Sequence, residues 1–532
     1  MNKKRSIRRS GFGRTLRWAL AVTVMLSSFV VGTGTALAAD CSYVGPSAGG
    51  PWDFPGNWNC GVVPGNGDTA SIGAADNVIV DADASVGSLF VGDGGVVTLS
   101  DEATLAAGTF SALSGAVGGT GTLTVAGTFT KDVSTPGGLD LFEVRDSADL
   151  VLNGSSSHLA GEMCVATLNG PDNSTMTINN TYTIGPDTGI NPFACSEINA
   201  AIHIGPDGHL IKTGATQKNS QTPIDNDGTI TVQEGTFFLL GGSNNAGGAT
   251  SDGAYLADEG AFLELQGGSP PLMGATSRFG GEGTVSVSAN VDMAAGATLD
   301  PQIFRLTGSL RLRGTDPVDL PVFELTGGTL TSDRPVTAHT MNVTSGFLQN
   351  DFSVTVPAGG SFSKTGAGSL TLRNNDSAGG SPDLVLDADG TLDGGSITLT
   401  GNLFQSPDEP NLHINETFTI GAGAASVAFD GALVSPVIHV NGPDGHLLKS
   451  GTGTTTTFSA IDNAGGTVTI GPGQTLAGQF NGRLDQSGGL TEVAATGTLA
   501  TPVTLTGGEL RGAGQITGNL INTAGTVGPG DS

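Results

Sequence analysis

Two stretches gather the residue types that carry acid–base chemistry. Gly205–Gly214 reads GPDGHLIKTG and Gly442–Gly451 reads GPDGHLLKSG. Asp207, His209 and Lys212 stand within six residues of one another, and Asp444, His446 and Lys449 repeat the pattern. A carboxylate, an imidazole and an amine at such spacing could form part of a general acid–base site. They could equally mark a turn and the strand that follows it.

Several observations favour the turn. The lysine belongs to a theme, Gly-x-apolar-x-Lys, that recurs as GTFTK (Lys131), GHLIK (Lys212), GSFSK (Lys364) and GHLLK (Lys449). Two of the four members lack the acid and the histidine, so the lysine slot is expected to serve the architecture. Asp207-Gly208 and Asp444-Gly445 read as the tight turn before a strand. A duplicated ligand-binding patch is the alternative.

Other chemistry is thin. Asp225/Asp227 (DNDG) and Asp387/Asp389 (DADG) are close carboxylate pairs, expected in Asn/Gly-type turns, with a calcium site as the alternative. No cofactor is expected beyond weak calcium at an acidic surface. Gly45–Gly49 (GPSAG) fits G-x-S-x-G but has no strand–elbow–helix setting. No P-loop, HExxH, dinucleotide fingerprint or zinc-spaced Cys/His cluster occurs. A polygalacturonase-like site would need neighbouring acids near His and Arg/Lys, and no Asp-Asp pair is present. Polar aromatics are few, which counts against a carbohydrate cleft.

The elements that must position these residues are short strands. Runs such as NVIVDA, GTLTVAG, DLVLNG, GTITVQEG and SITLTGN alternate apolar and polar residues and are cut by Gly, Asn or Asp. No amphipathic helix is evident after the first 38 residues. The runs repeat at long range: DLVLNG from Asp149 returns as DLVLDA from Asp383, INNTYTIG from Ile178 as INETFTIG from Ile414, and His209 as His446. The chain therefore holds two diverged copies of one unit. Such repetition predicts a solenoid, an all-β, right-handed parallel β-helix forming a single elongated rod. With coils of roughly 20–25 residues, His209 and His446 would stand about ten coils apart, some ~50 Å. That is too far to share one site. Inward residues should form aliphatic ladders, and outward residues should be Thr, Ser, Asn and Asp.

The expected organisation is a signal peptide at 1–38, an N-terminal cap and first coils at 39–87, one β-helix unit at 88–318 and a second at 319–532. The first segment has a basic start (Lys3 to Arg17), an apolar run and an Ala36-Leu37-Ala38 cleavage site. Its removal takes away seven cations and no acids, so the net charge falls from −28 to −35. A surface that acidic repels phosphate backbones, which excludes nucleic acid as a partner. No later apolar run is long enough to span a bilayer. Four cysteines suit an oxidising compartment. Cys41–Cys60 and Cys164–Cys195 are the expected pairs. The second-unit counterparts of Cys164 and Cys195 fall near Thr398 and Gly431, and two cysteines absent together are most simply a pair. Trp52 and Trp58 are expected to close the first coil, with a sugar-stacking platform as the alternative.

Three stretches carry a family resemblance. GPWDFPGNWNCGVVPGNGDTASI (Gly50–Ile72) resembles the W…NW…G-x-x-P-x-x-G-D-x-A-x-I opening of secreted bacterial β-helix proteins. GSFSKTGAGSLTL (Gly360–Leu372) resembles the autotransporter-associated β-strand repeat, and GQITGNLINTAGTVGPGDS resembles late coils of autotransporter-like passengers. The resemblance implies surface display, adhesion or scaffolding. It departs from a whole autotransporter in lacking a C-terminal barrel, and a truncated reading frame at Ser532 is expected. The reading is a non-catalytic, secreted or cell-surface, adhesin-like protein whose partners are surface glycans or other surface proteins. A polysaccharide lyase or glycoside hydrolase on the same fold is the alternative. A Thr-faced binder of ice or crystalline polymer, suggested by GTGTTTTF, is the third.

Overall fold

The computed structural model describes residues 38–529, apart from 101, 134–139, 167–172, 196–199, 241–249, 268–271, 351, 375–381, 401–408, 430–435, 452 and 480–481. The segment 1–37, which holds the expected signal peptide, and Gly431 lie outside the described residues. Ala39–Ser532 is one compact unit.

Alternation in the sequence becomes alternation in burial. The strands Thr69–Ile72, Asn77–Val80, Thr122–Val125 and Asp149–Leu152 each bury every second residue. The apolar half of each strand faces a common interior, and the Thr, Ser, Asn and Asp half faces out. Pairing then decides how strands assemble. Every paired strand among the described residues runs parallel to its partner, and partners are one coil apart in sequence, as Thr69 with Ser88 or Leu384 with Leu412. The coil length varies from 17 residues (Glu509 opposite Thr526) to 30 (Val354 opposite Leu384). The solenoid tolerates this spread because added residues leave through the corners. The chain is a parallel β-helix. The one helical element among the described residues is the short 3₁₀ turn Pro55–Asn57.

In the second half three ladders share the interior. One runs Val354–Leu384–Leu412–Ile438–Ile461–Leu484–Val503. A second runs Phe323–Met341–Phe362–Gly390–Phe418–Leu447–Val468. A third runs Leu330–Leu348–Leu372–Leu399. Each inward aliphatic side chain removed from water contributes about 1.5–3 kcal/mol, so stability accumulates coil by coil. Gly390 is required by its neighbours, because a Cβ there would stand 2.8 Å from the Phe418 ring. Its absence lets Phe362 and Phe418 meet with ring centroids 6.2 Å apart.

The first coil is closed by aromatic residues. Trp52 and Trp58 are buried, with their rings edge-to-face at 4.9 Å, and Tyr43 packs on Trp58 at 5.6 Å. The Trp58 indole N–H donates to the Trp52 carbonyl at 2.8 Å. The Gly67-Asp68 motif has a direct use. The Asp68 carboxylate accepts the backbone N–H of Gly65 (2.9 Å) and of Ala39 (2.8 Å), tying Ala39 to the turn. Those two donors hold its pKa below the usual carboxylate value. Cys41 is bonded to Cys60 in the same cap.

Candidate functional site: cross-coil rows of His, Asp and Lys

The residues of each GPDGH-x-x-K motif part company in the fold. Asp207 lies in the exposed turn before the strand His209–Lys212. His209 points outward, with Nε2 2.8 Å from Thr231 Oγ1 on the next coil. Lys212 points inward and is fully buried. The second copy does the same: His446 Nε2 is 2.9 Å from Thr469 Oγ1, and Lys449 is buried. An alternating strand sends His209 and Ile211 to one side and Leu210 and Lys212 to the other. The acid, imidazole and amine therefore do not converge.

The lysine slot is an internal row. Lys131 pairs with His158, His158 with Ile184 and Ile184 with Lys212 on successive coils. Lys364, Leu392, Ile420 and Lys449 form the equivalent row in the second unit. Each lysine ends a strand and reaches back to corner carbonyls. Lys364 Nζ donates to Thr365, Gly366 and Gly394 at 2.7, 3.2 and 3.1 Å. Lys131 donates to Asp132 and Ala160, and Lys212 to Gly214 and Glu234. Lys449 donates to Gly451 at 2.8 Å. For Lys364, Lys131 and Lys212 one acceptor (Gly394, Ala160 and Glu234) lies on the following coil, so the ammonium clamps neighbouring corners together. Burial pushes Lys131 and Lys212 down to about 8, and pushes Lys364 and Lys449 down as well. The expectation of purely aliphatic inward ladders is corrected here. Backbone carbonyls at the corners point inward and need donors, which aliphatic residues cannot supply.

Lys218, outside the recurring slot, is also buried and donates to Pro186 and Thr188 carbonyls. All five lysines after residue 38 are thus inside the β-helix. The signal in the sequence is lysine at the end of an alternating run, in phase with the apolar positions. His158 is a further buried base. Its Nε2 lies 3.2 Å from the Gly161 carbonyl, and burial, reinforced by the nearby Lys131, pushes it down to about 3.

Other outward histidines meet acids on the adjoining coil. His203 Nδ1 is 3.0 Å from Asp225 Oδ2, and the corresponding pair in the second unit, His439 and Asp462, is 3.2 Å apart. The hydrogen bond to Asp225 raises the His203 pKa. Asp225 was expected in a turn, but it lies in the strand Ile224–Asn226, with Asn226 inward and bonded to the Ala254 carbonyl at 3.0 Å. Asn463 repeats that bond, to Leu490 at 3.1 Å. His413 stacks on His439 at 4.8 Å. Asp387 accepts Asn415 Nδ2 at 2.6 Å, and Asn415 accepts Asn441 Nδ2 at 3.0 Å. Asp389 accepts the Thr417 backbone N–H at 3.2 Å. These groups engage one another from coil to coil along the stack. No cluster of three or more His, Cys, Asp or Glu that could hold a metal ion is present among the described residues.

The remaining motifs resolve structurally. Ser47 sits in a turn closed by the Gly49 N–H on the Pro46 carbonyl, without a helix behind it. Cys164 is bonded to Cys195, from the strand Ser156–Ala166 to the end of its neighbour on the next coil, Thr181–Phe193. Trp52 and Trp58 show no open ring face for a sugar. In GTGTTTTF, Thr455 and Thr457 point inward and are buried, so that stretch does not form the flat Thr face a crystalline surface would need.

The chain is 29% identical over 336 residues to the adhesin BmaC autotransporter of Brucella suis biovar 1, covering 44% of this chain. The match spans 8% of that adhesin's length. No family model and no solved structure matches the chain.

Proposed function

We propose that this chain is a non-catalytic, adhesin-like β-helix, exported and working outside the cell or at its surface. The similarity to an autotransporter adhesin is the observation that carries this reading. The arrangement of polar groups supports it. Lysines, histidines and carboxylates are spent as pairs and clamps between consecutive coils, which rigidifies a display scaffold. The two disulfides fit an oxidising environment. No helix among the described residues is long and apolar enough to cross a membrane. The partners of such a scaffold are surface glycans or other cell-surface proteins, reached through side chains on the outer faces.

The test is adhesion of the purified chain from residue 39 to cultured cell layers, alongside turnover assays on uronic-acid and neutral polysaccharides with and without calcium. Saturable adhesion without turnover is expected. Turnover on any of these substrates overturns the non-catalytic reading, and absence of adhesion overturns the adhesin reading.

A further inference from the structure

The arginines divide sharply. Arg145, Arg278, Arg305, Arg311, Arg313, Arg483 and Arg511 each lie within 4 Å of a carboxylate. Arg334 is buried against the Ala297 carbonyl. Among the described residues, Arg373 is the one exposed arginine without a carboxylate partner. It is exposed, yet it is held in place. Its Nη2 donates to Gln349 Oε1 on the preceding coil, and its guanidinium lies over the Phe347 ring, 5.4 Å from the centroid. The Phe347 ring is itself 39% exposed.

The surroundings suit a ligand. Register sets Phe347, Thr371 and Thr398 in one outward row, and Thr331, Gln349 and Arg373 in the next. Rows on consecutive coils are about 4.8 Å apart, and outward neighbours along a strand about 7 Å. The six residues thus make a strip of hydroxyls and one amide, with an aromatic ring, one guanidinium and no carboxylate. The residues after 38 carry a net charge of −35, so an arginine without a carboxylate partner on such a strip is a local exception. With all five lysines after residue 38 buried, it is also a place where an anionic partner meets a cation with no acid beside it among the described residues. Guanidinium binds carboxylate through paired N–H donors, and an exposed aromatic face packs against the apolar face of a sugar ring.

We infer that the Phe347–Arg373 strip is a contact site for a carboxylated sugar at the end of, or within, a glycan. Arg373 takes the carboxylate, Phe347 the ring face, and Gln349, Thr371 and Thr398 the hydroxyls. The inference rests on the adhesin reading for its biological setting and refines it to one face and one ligand chemistry.

The test is titration of the chain from residue 39 with 3′-sialyllactose, trigalacturonate, neutral lactose and a hexaglutamate peptide. Arg373→Gln, Phe347→Ser and a control, Arg278→Gln, are titrated in parallel, and circular dichroism checks that each is folded. Wild type should bind at least one of the two carboxylated sugars, more weakly as salt rises, and bind lactose and the peptide at least tenfold more weakly. Whichever carboxylated sugar binds identifies the source. Arg373→Gln and Phe347→Ser should each weaken binding at least tenfold, and Arg278→Gln less than twofold. No saturable binding of either carboxylated sugar, equal binding of the peptide, or retention of affinity in Arg373→Gln overturns the inference. Adhesion measured on the same variants separates the two ideas. Cell adhesion that survives Arg373→Gln in a chain without sugar binding leaves the adhesin reading and removes this site. Sugar binding that depends on Arg373 in a chain that does not adhere does the reverse.

Discussion

The two buried lysine rows are the same device built twice, and they differ in instructive ways. In the first unit the row is Lys131–His158–Ile184–Lys212, and in the second it is Lys364–Leu392–Ile420–Lys449. Both place two lysines three coils apart, facing in, each bonded to corner carbonyls. The first row adds a buried histidine, has Lys218 close by and is braced by Cys164–Cys195. The second has leucine at the histidine position and no disulfide at the matching place. The rows also occupy different sides of the solenoid. The ladder of Lys449 continues down through the strands at Phe418, Phe362, Met341, Phe323, Phe304, Val285, Leu263 and Phe237 to Lys218–Ser220, and not to His209–Lys212. The repeat is therefore not a whole number of coils, and the second copy is turned by one face. Duplication preserved the local device, and the stack set its direction.

The largest contrast should come from the disulfide. Its loop has a sequence separation of 31 residues, for which chain-entropy arguments give about 3–4 kcal/mol. Changing Cys164 and Cys195 together to Ser should destabilise the first unit by that order while leaving amide exchange in the second unchanged. Equal loss of protection in both units would show that the two do not respond independently.

The clamps come next. Lys364 satisfies three carbonyls and Lys449 one. A buried group left without its partner costs about 1–3 kcal/mol. Lys364→Ala should therefore lower local stability by roughly 3 kcal/mol or more, and Lys449→Ala by about 1. Amide exchange at the two corners measures this, and a reversed order would contradict the clamp assignment.

Acid should separate the rows more gently. His158 has a folded pKa of about 3, below its ordinary 6.5. Between those values the unfolded chain binds a proton that the folded chain does not, so stability falls as pH drops through 6.5 toward 3. His158→Leu, which copies the second unit, should remove that share of the acid sensitivity in a urea titration at pH 7 and pH 4.5. An unchanged pH dependence would place His158 elsewhere than in the dry interior.

The smallest effect is at alkaline pH. Lys131 and Lys212 have folded pKa values of about 8 against 10.5. In that window the unfolded state again holds more protons, so their contribution rises with pH between 8 and 10.5. Melting temperature should rise slightly from pH 8 to pH 9.5, and the rise should shrink in Lys131→Met with Lys212→Met. A fall in the wild type over that range would mean the lysines remain charged when folded.

The sequence by itself determined the all-β class, the short strands and their stacking into a parallel solenoid. These follow from period-two alternation and from repeats such as DLVLNG and DLVLDA, which are local properties of the chain. The cysteine asymmetry between the copies pointed to the pair that the structure joins. Tertiary structure decided the rest. It turned His209 out and Lys212 in, although both stand in one four-residue strand. It moved Asp225 from an expected turn into a strand opposite His203. It set Arg373 against Phe347 and Gln349, which are close only because consecutive coils stack in register. Side-chain partners in a β-helix lie one coil away, and coils here vary from 17 to 30 residues. Spacing along the chain therefore cannot reveal which residues meet.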